Sequence, residues 1–415
     1  MSKRRVVITG LGCVTALAES VERLYSALCQ GKSGISHIES FDASAYTVTF
    51  GGEIKSFEPT KFINQRESKR MDRFTQLALT SAIQAADDSR LDFSKEDPFR
   101  IGVIIGTGIG GIKEIEEQHI RLLEKGPRKV SPFCVPKLMG NAASGNIAIH
   151  FGLEGPNICV VSACASGSHA IGEAYCNILA GRSDIMITGG SEAALTPIGL
   201  ASFCAARSLS TRNDNPQAAS RPFDKDRDGF VLSEGAGVLI LEEYEHAKKR
   251  GANIYAELLG YSATDDGYHI TAPLPDGSGA AKSMKLALDD AAIELEEVDY
   301  INAHGTGTEL NDIAESAAIR SVFGDYAYKL PVSSTKSCLG HLLGASGAVE
   351  LIICVKIIND SLIPPTINLE NQDPRCDLKM DFVPLKARQV KVNIALSNSL
   401  GFGGHNATLI VGKVN

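Results

Sequence analysis

Short apolar segments rich in valine and isoleucine recur along the chain, and glycine or another small residue follows each of them. In the first half of the sequence they are VVITGLG from Val6, IGVIIGTG from Ile101, ICVVSA from Ile158 and DIMITGG from Asp184. The second half repeats the pattern in VDYINAHGTG from Val298, LPVSSTKS from Leu330 and VNIALSNS from Val392. Segments with helical spacing of apolar residues separate these strand-like runs, so the sequence predicts a layered α/β structure.

The two halves of the sequence also resemble each other. The segment ICVVSACASGSHAIGEA in the first half and the segment LPVSSTKSCLGHLLGASGAVE in the second both read as a strand that enters a helix rich in Ser, Ala and Gly. A duplication is therefore predicted, with an N-terminal half of residues 1–256 and a C-terminal half of residues 257–415. The boundary follows the charged helical segment EEYEHAKKRGA, and no linker rich in Pro or Ser marks it.

Composition and charge narrow the classes of function. The 415 residues are 44% hydrophobic and 22% charged, as in ordinary globular proteins, and the net charge of −8 argues against general nucleic-acid binding. No charge-free apolar run approaches the roughly 18 residues of a membrane span, and the first apolar run leaves no room for a signal peptide. Ten cysteines without metal-site or disulfide spacing are typical of reduced thiols, so a cytoplasmic protein without a metal site is expected.

Cys164 is the first candidate for catalysis. It follows the predicted strand ICVVSA and opens a predicted helix that ends at Gly181. Unpaired N–H groups and the macrodipole at a helix N-terminus favour a thiolate, which is the nucleophilic form of cysteine. Most cysteines in such a chain are small core residues, so the position alone leaves a structural role open.

Two histidines occupy a similar kind of place. His304 lies in NAHGTGTELND and His341 in TKSCLGHLLGASG, and each follows a predicted strand at a glycine-rich turn. Such turns present side chains and backbone amides to ligands, which favours a functional role. A buried structural role for either histidine fits the sequence equally well.

Four segments together resemble the elongating β-ketoacyl-acyl carrier protein synthases, and they are VSACASGSHA, AHGTGTELND, SSTKSCLGHLLGASGAVE and NSLGFGGHNA. The resemblance covers nearly the whole chain. It is strongest to the KAS II class of type II fatty acid synthesis, because RPFDKDRDGFVLSEGAG from Arg221 and IPPTINLE from Ile363 are also similar. The resemblance implies a thiolase-like α/β fold, in which two duplicated halves form five layers in the order α-β-α-β-α.

The resemblance also implies a reaction, the decarboxylative Claisen condensation of malonyl-acyl carrier protein with a Cys-bound acyl chain. Cys164 would carry the acyl group, and its backbone N–H would form an oxyanion hole with that of Phe402. His304 and His341 would stabilise the enolate formed by decarboxylation. A charged group behind them would orient these residues and control their pKa values, and its members are Lys336, Glu350 and Asp312.

The same resemblance implies how the protein contacts its substrates and partners. Thr306 and Thr308 would hydrogen-bond the phosphopantetheine arm, which the substrate carries, so the enzyme would need no cofactor of its own. Ile109 and Phe402 would gate acyl entry, and Thr271 would contact the substrate. Phe133, Phe203 and Met139 would line acyl pockets near a dimer interface. Docking of the acidic carrier protein would use Arg66, Lys69, Arg70, Arg73 and Arg207. A homodimer is implied, and a structural monovalent cation is compatible with the resemblance.

Two motif matches do not fit their context. The segment GTGIGG, residues 106–111, has the spacing of a dinucleotide-binding loop, but no second strand ending in an acidic residue follows about 20 positions on. The segment from Asp224 to Gly229 resembles the start of an EF-hand loop. Gly235 stands where the EF-hand requires a bidentate Glu, so calcium binding is not predicted.

Three alternative functions share parts of this pattern. A thiolase pairs one histidine with a second catalytic cysteine, whereas the presence of His341 favours the decarboxylating class. A polyketide-type ketosynthase remains open because it performs identical chemistry. A non-catalytic partner subunit similar to chain-length factors would lack the nucleophile, and Cys164 argues against it.

Overall fold

Strands and helices alternate along the chain as the apolar pattern predicts, in a computed structural model that describes residues 4–414. The strands are β1 (Val6–Thr15), β2 (Ser36–His37), β3 (Phe50–Gly51), β4 (Ile101–Gly106), β5 (Asn157–Val160), β6 (Ile185–Glu192), β7 (Gly235–Glu243), β8 (Ala256–Asp265), β9 (Tyr300–Asn302), β10 (Val332–Ser333), β11 (Leu362–Ile363), β12 (Arg388–Gln389), β13 (Ile394–Gly401) and β14 (His405–Gly412). The helices are α1 (Val21–Cys29), α2 (Gln65–Ser68), α3 (Arg73–Ser89), α4 (Ile112–Lys125), α5 (Cys134–Leu138), α6 (Ala142–Phe151), α7 (Ser166–Leu179), α8 (Pro197–Ala205), α9 (Tyr244–Lys249), α10 (Ser278–Ala291), α11 (Glu309–Phe323), α12 (Lys336–Leu339) and α13 (Ser346–Asp360).

Within residues 4–414, ten of these strands form one hydrogen-bonded sheet in the order β10-β9-β13-β14-β8-β1-β7-β6-β4-β5. The five strands from β10 to β8 come from the second half of the sequence, and the five from β1 to β5 come from the first. From each outer edge inward, both sets run through two parallel pairs and then two antiparallel pairs. The sets join where β1 pairs briefly with β8, which begins beside the predicted boundary of the halves.

Helices lie outside both sets of strands and also between them. On β4, Val103 and Ile105 pack against the layer of α3 and α6, whereas the alternate residue Ile104 points to α7 and α13. In the second half, α10 and α11 cover the outer face, and Leu409 of β14 packs inward on the α7 and α13 layer. The result is the predicted five-layered α-β-α-β-α arrangement, and the fold prediction is therefore confirmed.

The parallel strands place the candidate residues at one edge of the layers. Ligand sites in α/β sheets lie outside the carboxyl ends of parallel strands, where the following loops converge. The loop after β4 contains Ile109, and the loop after β5 contains Cys164. In the second half, His304 follows β9. Helix α12 follows β10, and His341 lies in the turn after α12. Equivalent strands of the two halves thus contribute residues to one region.

No helix among the described residues is both long and apolar enough to cross a membrane.

An ion cluster far from these loops fixes α9 against β7. The carboxylate of Glu242 is fully buried and accepts hydrogen bonds from Thr9, His246 and Arg250. The second ring nitrogen of His246 lies 3.0 Å from a carboxylate oxygen of Glu96. The hydrogen bond to Glu242 is the main cause that raises the pKa of His246, to about 9.

This cluster should make stability depend on pH. The pKa of His246 rises from its ordinary 6.5 to about 9 on folding, so its stabilisation is full below about pH 6.5 and is lost as pH rises through about 9. The ring is partly exposed, so the effect should be small. Between these pH values we expect the free energy of unfolding of the wild type to fall by only about 1 kcal/mol relative to that of His246→Gln, as measured by urea unfolding. The exposed His150→Gln is the control, and parallel pH curves for wild type and His246→Gln would contradict the expectation.

Candidate active site

A cavity of about 770 Å³ opens where the loops of the two halves converge. Cys164, His304 and His341 all line it, so residues more than 100 positions apart in sequence share one space. Six of the predicted substrate and docking residues also line this cavity besides Phe402, and they are Ile109, Phe203, Arg207, Thr271, Thr306 and Thr308. The two threonine hydroxyls are 2.9 Å apart and hydrogen-bond to each other.

Cys164 lies in a tight 3-10 turn, Ala163–Ala165, that leads directly into α7. Ala163 begins the turn with φ of 50°, a left-handed conformation that costs a residue with a side chain about 1–3 kcal/mol. The hydroxyl of Ser166 donates to the Ala163 carbonyl and accepts from the N–H of Ser162, which stabilises the turn. The sequence placed Cys164 at the helix start, and the structure puts it two residues before the first helical residue.

The expectation that the helix start makes this thiol anionic is wrong for the protein without substrate. Burial raises the pKa of the Cys164 thiol to about 12, because the thiolate would lose its hydration. The charge of Lys336 and the backbone N–H groups of Phe402 and Cys164 act in the opposite direction and lower this pKa. Cys164 is therefore a neutral thiol at rest, and the two N–H groups predicted for the oxyanion hole favour its ionised form.

His341 has a defined tautomer. Its Nδ1 accepts a hydrogen bond from the backbone N–H of Leu343 at 3.3 Å and lies 3.0 Å from the hydroxyl of Ser346. A backbone N–H can only donate, so Nδ1 carries no proton and Nε2 of the neutral ring carries it. The ring also packs edge-on against Phe230, with 5.3 Å between the centroids. This arrangement leaves His341 an N–H donor at Nε2.

His304 lies next to His341, with 5.2 Å between the ring centroids and nearly perpendicular planes. Its backbone N–H and that of Gly305 donate to the two carboxylate oxygens of Glu315, each at 2.8 Å. Burial, followed by the charge of Lys336, holds the pKa of both histidines well below its usual range. Both imidazoles are therefore neutral at physiological pH.

Lys336 and Glu350 form a buried ion pair behind these residues. The lysine side chain is 1% exposed, and its ammonium group donates to a carboxylate oxygen of Glu350. Burial raises the pKa of Glu350, and the contact with Lys336 opposes that change. A single ammonium group thus lowers the pKa values of Cys164, His304 and His341 together.

Asp312 lies apart from the Lys336–Glu350 pair. Its carboxylate accepts from the backbone N–H groups of Phe223 at 2.8 Å and Gly307 at 3.2 Å, and it pairs with the buried Arg227. Its structural effect is to hold the turn after His304. The prediction grouped it with Lys336 and Glu350, whereas the structure gives it a different cation.

Phe133, which is predicted to line an acyl pocket near the dimer interface, does not line the cavity within this chain. It is 39% exposed and lies on the surface, where the guanidinium of Arg70 stacks over its ring at 5.0 Å. Arg66 and Lys69 complete this surface cluster. Phe133 directly precedes the short helix α5, in which no residue is buried.

Arg73 is also placed differently from its prediction as a docking cation. It is the first residue of α3, and its guanidinium donates two hydrogen bonds to the buried carboxylate of Glu234, both at 2.7 Å. Asp72 caps this helix by accepting from the N–H of Phe74. Lys69 and Arg70 lie between α2 and α3.

Two carboxylates at this site were not found from the sequence. Glu315 holds the backbone of His304, and Glu192 at the end of β6 holds the loop that contains Ile109. Burial raises the pKa of Glu315 to about 7 and that of Glu192 to about 6. Glu192 ends an apolar strand run, DIMITGGSE, and an acidic residue at a strand end was the available signal.

The two rejected motifs have internal partners in the structure. The amides of the GTGIGG loop at Gly108 and Ile109 donate to the carboxylate of Glu192, which occupies the place a phosphate would take in a dinucleotide site. In the segment that resembles an EF-hand, Asp224 accepts from the backbone N–H groups of residues 226, 370 and 371. These hydrogen bonds stabilise the two loops, so both motifs have a structural role.

Comparison with known proteins identifies the class of protein that this fold and site define. The sequence matches the family described as "Beta-ketoacyl synthase, N-terminal domain" over residues 3–247 and "Beta-ketoacyl synthase, C-terminal domain" over residues 255–370. The layered fold is thus the thiolase-like fold of the condensing enzymes. The chain belongs to the β-ketoacyl synthase family, which confirms the resemblance of its four motifs.

Individual relatives are similar over their full lengths. The chain is 52% identical over 413 residues to a "3-oxoacyl-[acyl-carrier-protein] synthase 2" of Synechocystis sp., covering 100% of this chain and 99% of the relative. It is 51% identical to a protein of the same name in Coxiella burnetii, covering 100% of both. A solved type II polyketide ketosynthase, in complex with its acyl-carrier protein and bound to a hexaketide, superposes with a TM-score of 0.93 at 36% identity over 100% of both chains.

The shared effect of Lys336 can be tested on the thiol. Lys336→Met removes the charge that lowers the pKa of Cys164, so alkylation of Cys164 by iodoacetamide at about pH 9 should slow roughly three- to ten-fold. The rate is measured on the Cys164 peptide by mass spectrometry. Lys356→Met, which breaks an ion pair on α13 remote from the thiol, is the control.

Because Lys336→Met leaves Glu350 unpaired, the double variant with Glu350→Gln removes both buried charges and protects the fold. It should show the same slow alkylation. Wild-type alkylation rates in a folded double variant would contradict the electrostatic effect that we assign to Lys336.

Proposed function

We propose that this enzyme extends an acyl chain by two carbons, through decarboxylative condensation of malonyl-acyl carrier protein with an acyl group on Cys164 in type II fatty acid synthesis. The observation that carries the proposal is one cavity lined by a thiol and two neutral imidazoles. Relatives about half identical over the full length are named 3-oxoacyl-[acyl-carrier-protein] synthase 2. The solved type II polyketide ketosynthase is more distant, at 36% identity, and favours that alternative less.

The first step transfers the acyl group to the enzyme. The sulfur of Cys164 attacks the thioester carbonyl, and the N–H groups of Cys164 and Phe402 receive the negative charge that develops on the oxygen. When the intermediate collapses, the carrier thiol leaves and takes the proton that Cys164 has lost. Lys336 and the two N–H groups reduce the cost of forming a thiolate in this buried place.

The second step decarboxylates the malonyl group. The carbon–carbon bond to the carboxylate breaks, carbon dioxide leaves, and its bonding electrons form an enolate. The Nε2–H of His341 and the ring of His304 stabilise the enolate oxygen, with an effect of roughly 3 kcal/mol for each donor. Neutral imidazoles suit this task because an imidazolium is a stronger acid and would more readily protonate the enolate carbon.

The third step forms the product. The enolate carbon attacks the acyl carbonyl on Cys164, and the same two N–H groups receive the charge on its oxygen. The sulfur of Cys164 then leaves as a thiolate and regains a proton. The product is a β-ketoacyl chain that is two carbons longer and remains on the carrier protein.

The assignment can be tested with octanoyl- and malonyl-acyl carrier protein. The wild type should form an octanoyl adduct on the Cys164 peptide and a β-ketodecanoyl product, both measured by mass spectrometry. Cys164→Ser should lose the adduct and the condensation. His341→Ala should keep the adduct, but decarboxylation should fall about 10²- to 10³-fold because a donor to the enolate is missing.

The exposed Cys176→Ser serves as the control and should behave as the wild type. A folded wild-type protein that takes no acyl label would instead indicate a non-catalytic partner subunit.

We further propose that the acyl carrier protein docks on two sets of cations, one at the cavity and one elsewhere on the surface. Arg207 lines the cavity itself, while Arg66, Lys69 and Arg70 form a cluster with Phe133 on the surface. Acidic partners are attracted to such cations, and their contribution falls with ionic strength. The solved polyketide ketosynthase in complex with its carrier protein supports a carrier as the partner.

A homodimer is proposed from the free edge of the sheet. Strand β5 ends the sheet order, and Ile158 on it and Val161 beside it are 47% and 63% exposed. Helix α4 turns Glu114 inward and leaves Leu123 73% exposed, so its apolar side faces outward. An apolar surface beside an open sheet edge fits a second copy of the chain, whose β5 would continue the sheet.

Light scattering tests this assembly. The wild type should have twice the chain mass of 44.1 kDa, and Ile158→Lys should shift it toward one chain because a charge cannot be buried at the joined edge. Leu378→Lys, at an exposed apolar residue elsewhere, should leave the mass unchanged. A wild-type protein that elutes as a single chain at all micromolar concentrations would exclude the dimer.

A monovalent cation is proposed behind the catalytic histidines. The Asn302 Oδ1, Glu350 Oε2 and Ser397 Oγ atoms are buried without hydrogen-bond partners, and Asn302 and Ser397 are neighbours in the register of β9 and β13. Buried polar atoms without partners indicate an ion or water, and oxygen ligands suit hard cations. Such an ion would be structural, because the three proposed reaction steps do not use it.

A cytoplasmic location is proposed from cysteine chemistry. All ten cysteines carry free thiols, including the exposed Cys176, and a reducing compartment maintains thiols in that form.

A further inference from the structure

A buried carboxylate joins two loops of the cavity that come from different halves of the chain. Glu192 is fully buried at the end of β6. Its oxygens accept hydrogen bonds from the backbone N–H groups of Gly108 at 2.6 Å, Ile109 at 3.2 Å and Gly344 at 3.1 Å. The hydroxyl of Thr107 donates a fourth, at 3.0 Å. We call these five residues the Glu192 cluster.

All four donors are neutral groups. The carboxylate of Glu192 is therefore stabilised by hydrogen bonds, which require the N–H and O–H groups to point at its oxygens. Burial raises the pKa of Glu192 to about 6, and the four hydrogen bonds oppose that change and favour the carboxylate. The loops also approach the carboxylate closely. A Cβ atom at Gly108 or at Gly344 would lie 2.8 Å from its Oε2, so glycine is required at both positions.

The first loop of the cluster controls one wall of the cavity. Ile109 lines that cavity, and its backbone N–H is one of the groups that Glu192 fixes. A Cβ at Gly108 would lie 3.5 Å from the carbonyl oxygen of Ala163, so this loop also contacts the turn that contains Cys164. The position of the Ile109 side chain relative to an acyl group on Cys164 therefore depends on Glu192.

The second loop of the cluster fixes a catalytic histidine. Gly344 follows Leu343, and the backbone N–H of Leu343 donates to Nδ1 of His341. That hydrogen bond sets the tautomer in which Nε2 carries the proton. The same carboxylate thus holds the wall of the acyl channel and the turn that orients His341.

We propose that Glu192 is a positioning residue for chain-length selection, which fixes the Ile109 loop against the turn after His341 and so limits the acyl chains that the channel accepts. This inference rests on the proposed condensing function. Ile109 lines the cavity that also contains Cys164, so a loop released from Glu192 would give way more easily to a long acyl chain on Cys164. Loss of the carboxylate should therefore relax selection in favour of long primers.

Glu192→Gln tests the proposal because it keeps the shape of the side chain and replaces one acceptor oxygen by a donor. The amide N–H₂ would then face backbone N–H groups that have no other partner. We expect hydrogen exchange of segments 107–110 and 343–345 to accelerate about ten-fold together, since a buried hydrogen-bond acceptor has been lost. Exchange is measured by mass spectrometry on the full-length protein without substrate.

The second measurement compares kcat/KM for myristoyl and hexanoyl primers. In Glu192→Gln the ratio of the long to the short primer should rise at least about three-fold, because Ile109 is held less firmly. Ile109→Phe places more bulk in the same channel and should lower this ratio. Glu53→Gln is the matched control, since Glu53 is a buried carboxylate that accepts from the backbone N–H groups of residues 39 and 40.

If Glu192→Gln does not fold, Glu192→Asp retains the charge but is one methylene shorter, and it should change exchange and primer ratio in the same direction. An unchanged primer ratio, or an equal change in Glu53→Gln, would overturn the proposal. Faster exchange in only one of the two segments would also overturn it. If the wild type performs no condensation, the proposed function fails, and the exchange experiment still decides whether Glu192 joins the loops.

Discussion

The buried ammonium group of Lys336 is the charge on which the chemistry of the site depends. Burial makes a thiolate at Cys164 unstable and already disfavours the protonated forms of His304 and His341. The field of Lys336 lowers the pKa of Cys164 and adds to the effect of burial on the two histidines. The proposed reaction needs a nucleophilic sulfur beside two neutral N–H donors, and one cation favours both conditions. The ion pair with Glu350 offsets the cost of burying that cation, since an unpaired buried charge costs several kcal/mol.

Carboxylates, in turn, hold the loops on which the reacting groups stand. Glu315 fixes the backbone of His304, Asp312 fixes the turn at Gly307, and Glu192 fixes the loop at Ile109. Each accepts hydrogen bonds from backbone N–H groups that a glycine-rich turn leaves unpaired. Irregular turns can therefore lie in a buried site without orphaned donors. This explains why a chain with so many glycines near its cavity still presents its catalytic groups in a fixed geometry.

The sequence was sufficient for the fold and for naming three residues that meet in the cavity. Alternating apolar runs predicted the strands, a predicted helix start indicated Cys164, and glycine-rich turns indicated His304 and His341. Their catalytic roles follow from the family resemblance and stay predictions. The supporting carboxylates have no such local signature, since Glu192 lies 84 residues from Gly108 in sequence and meets it only in the folded sheet. The pKa of Cys164 was predicted in the wrong direction because burial depends on the whole fold. Phe133 stays a prediction, since the pocket predicted for it lies near the interface with a second copy of the chain.

Two sets of strands with the same pairing pattern place the proposed nucleophile and the histidine pair on opposite sides of one cavity. The turns that open α7 and α13 have the same form, with Ala163 and Leu343 both in the left-handed region, at φ of 50° and 48°, and a serine at the first position of each helix. Cys164 and Gly344 are equivalent residues in these turns. In the first half the position carries the thiol that we propose as the nucleophile, whereas in the second half the missing side chain allows a backbone N–H to reach Glu192. A side chain at Gly344 would collide with the loop at Gly108, so the two halves had to diverge at this position for the cavity to contain a nucleophile on one side and a fixed His341 on the other.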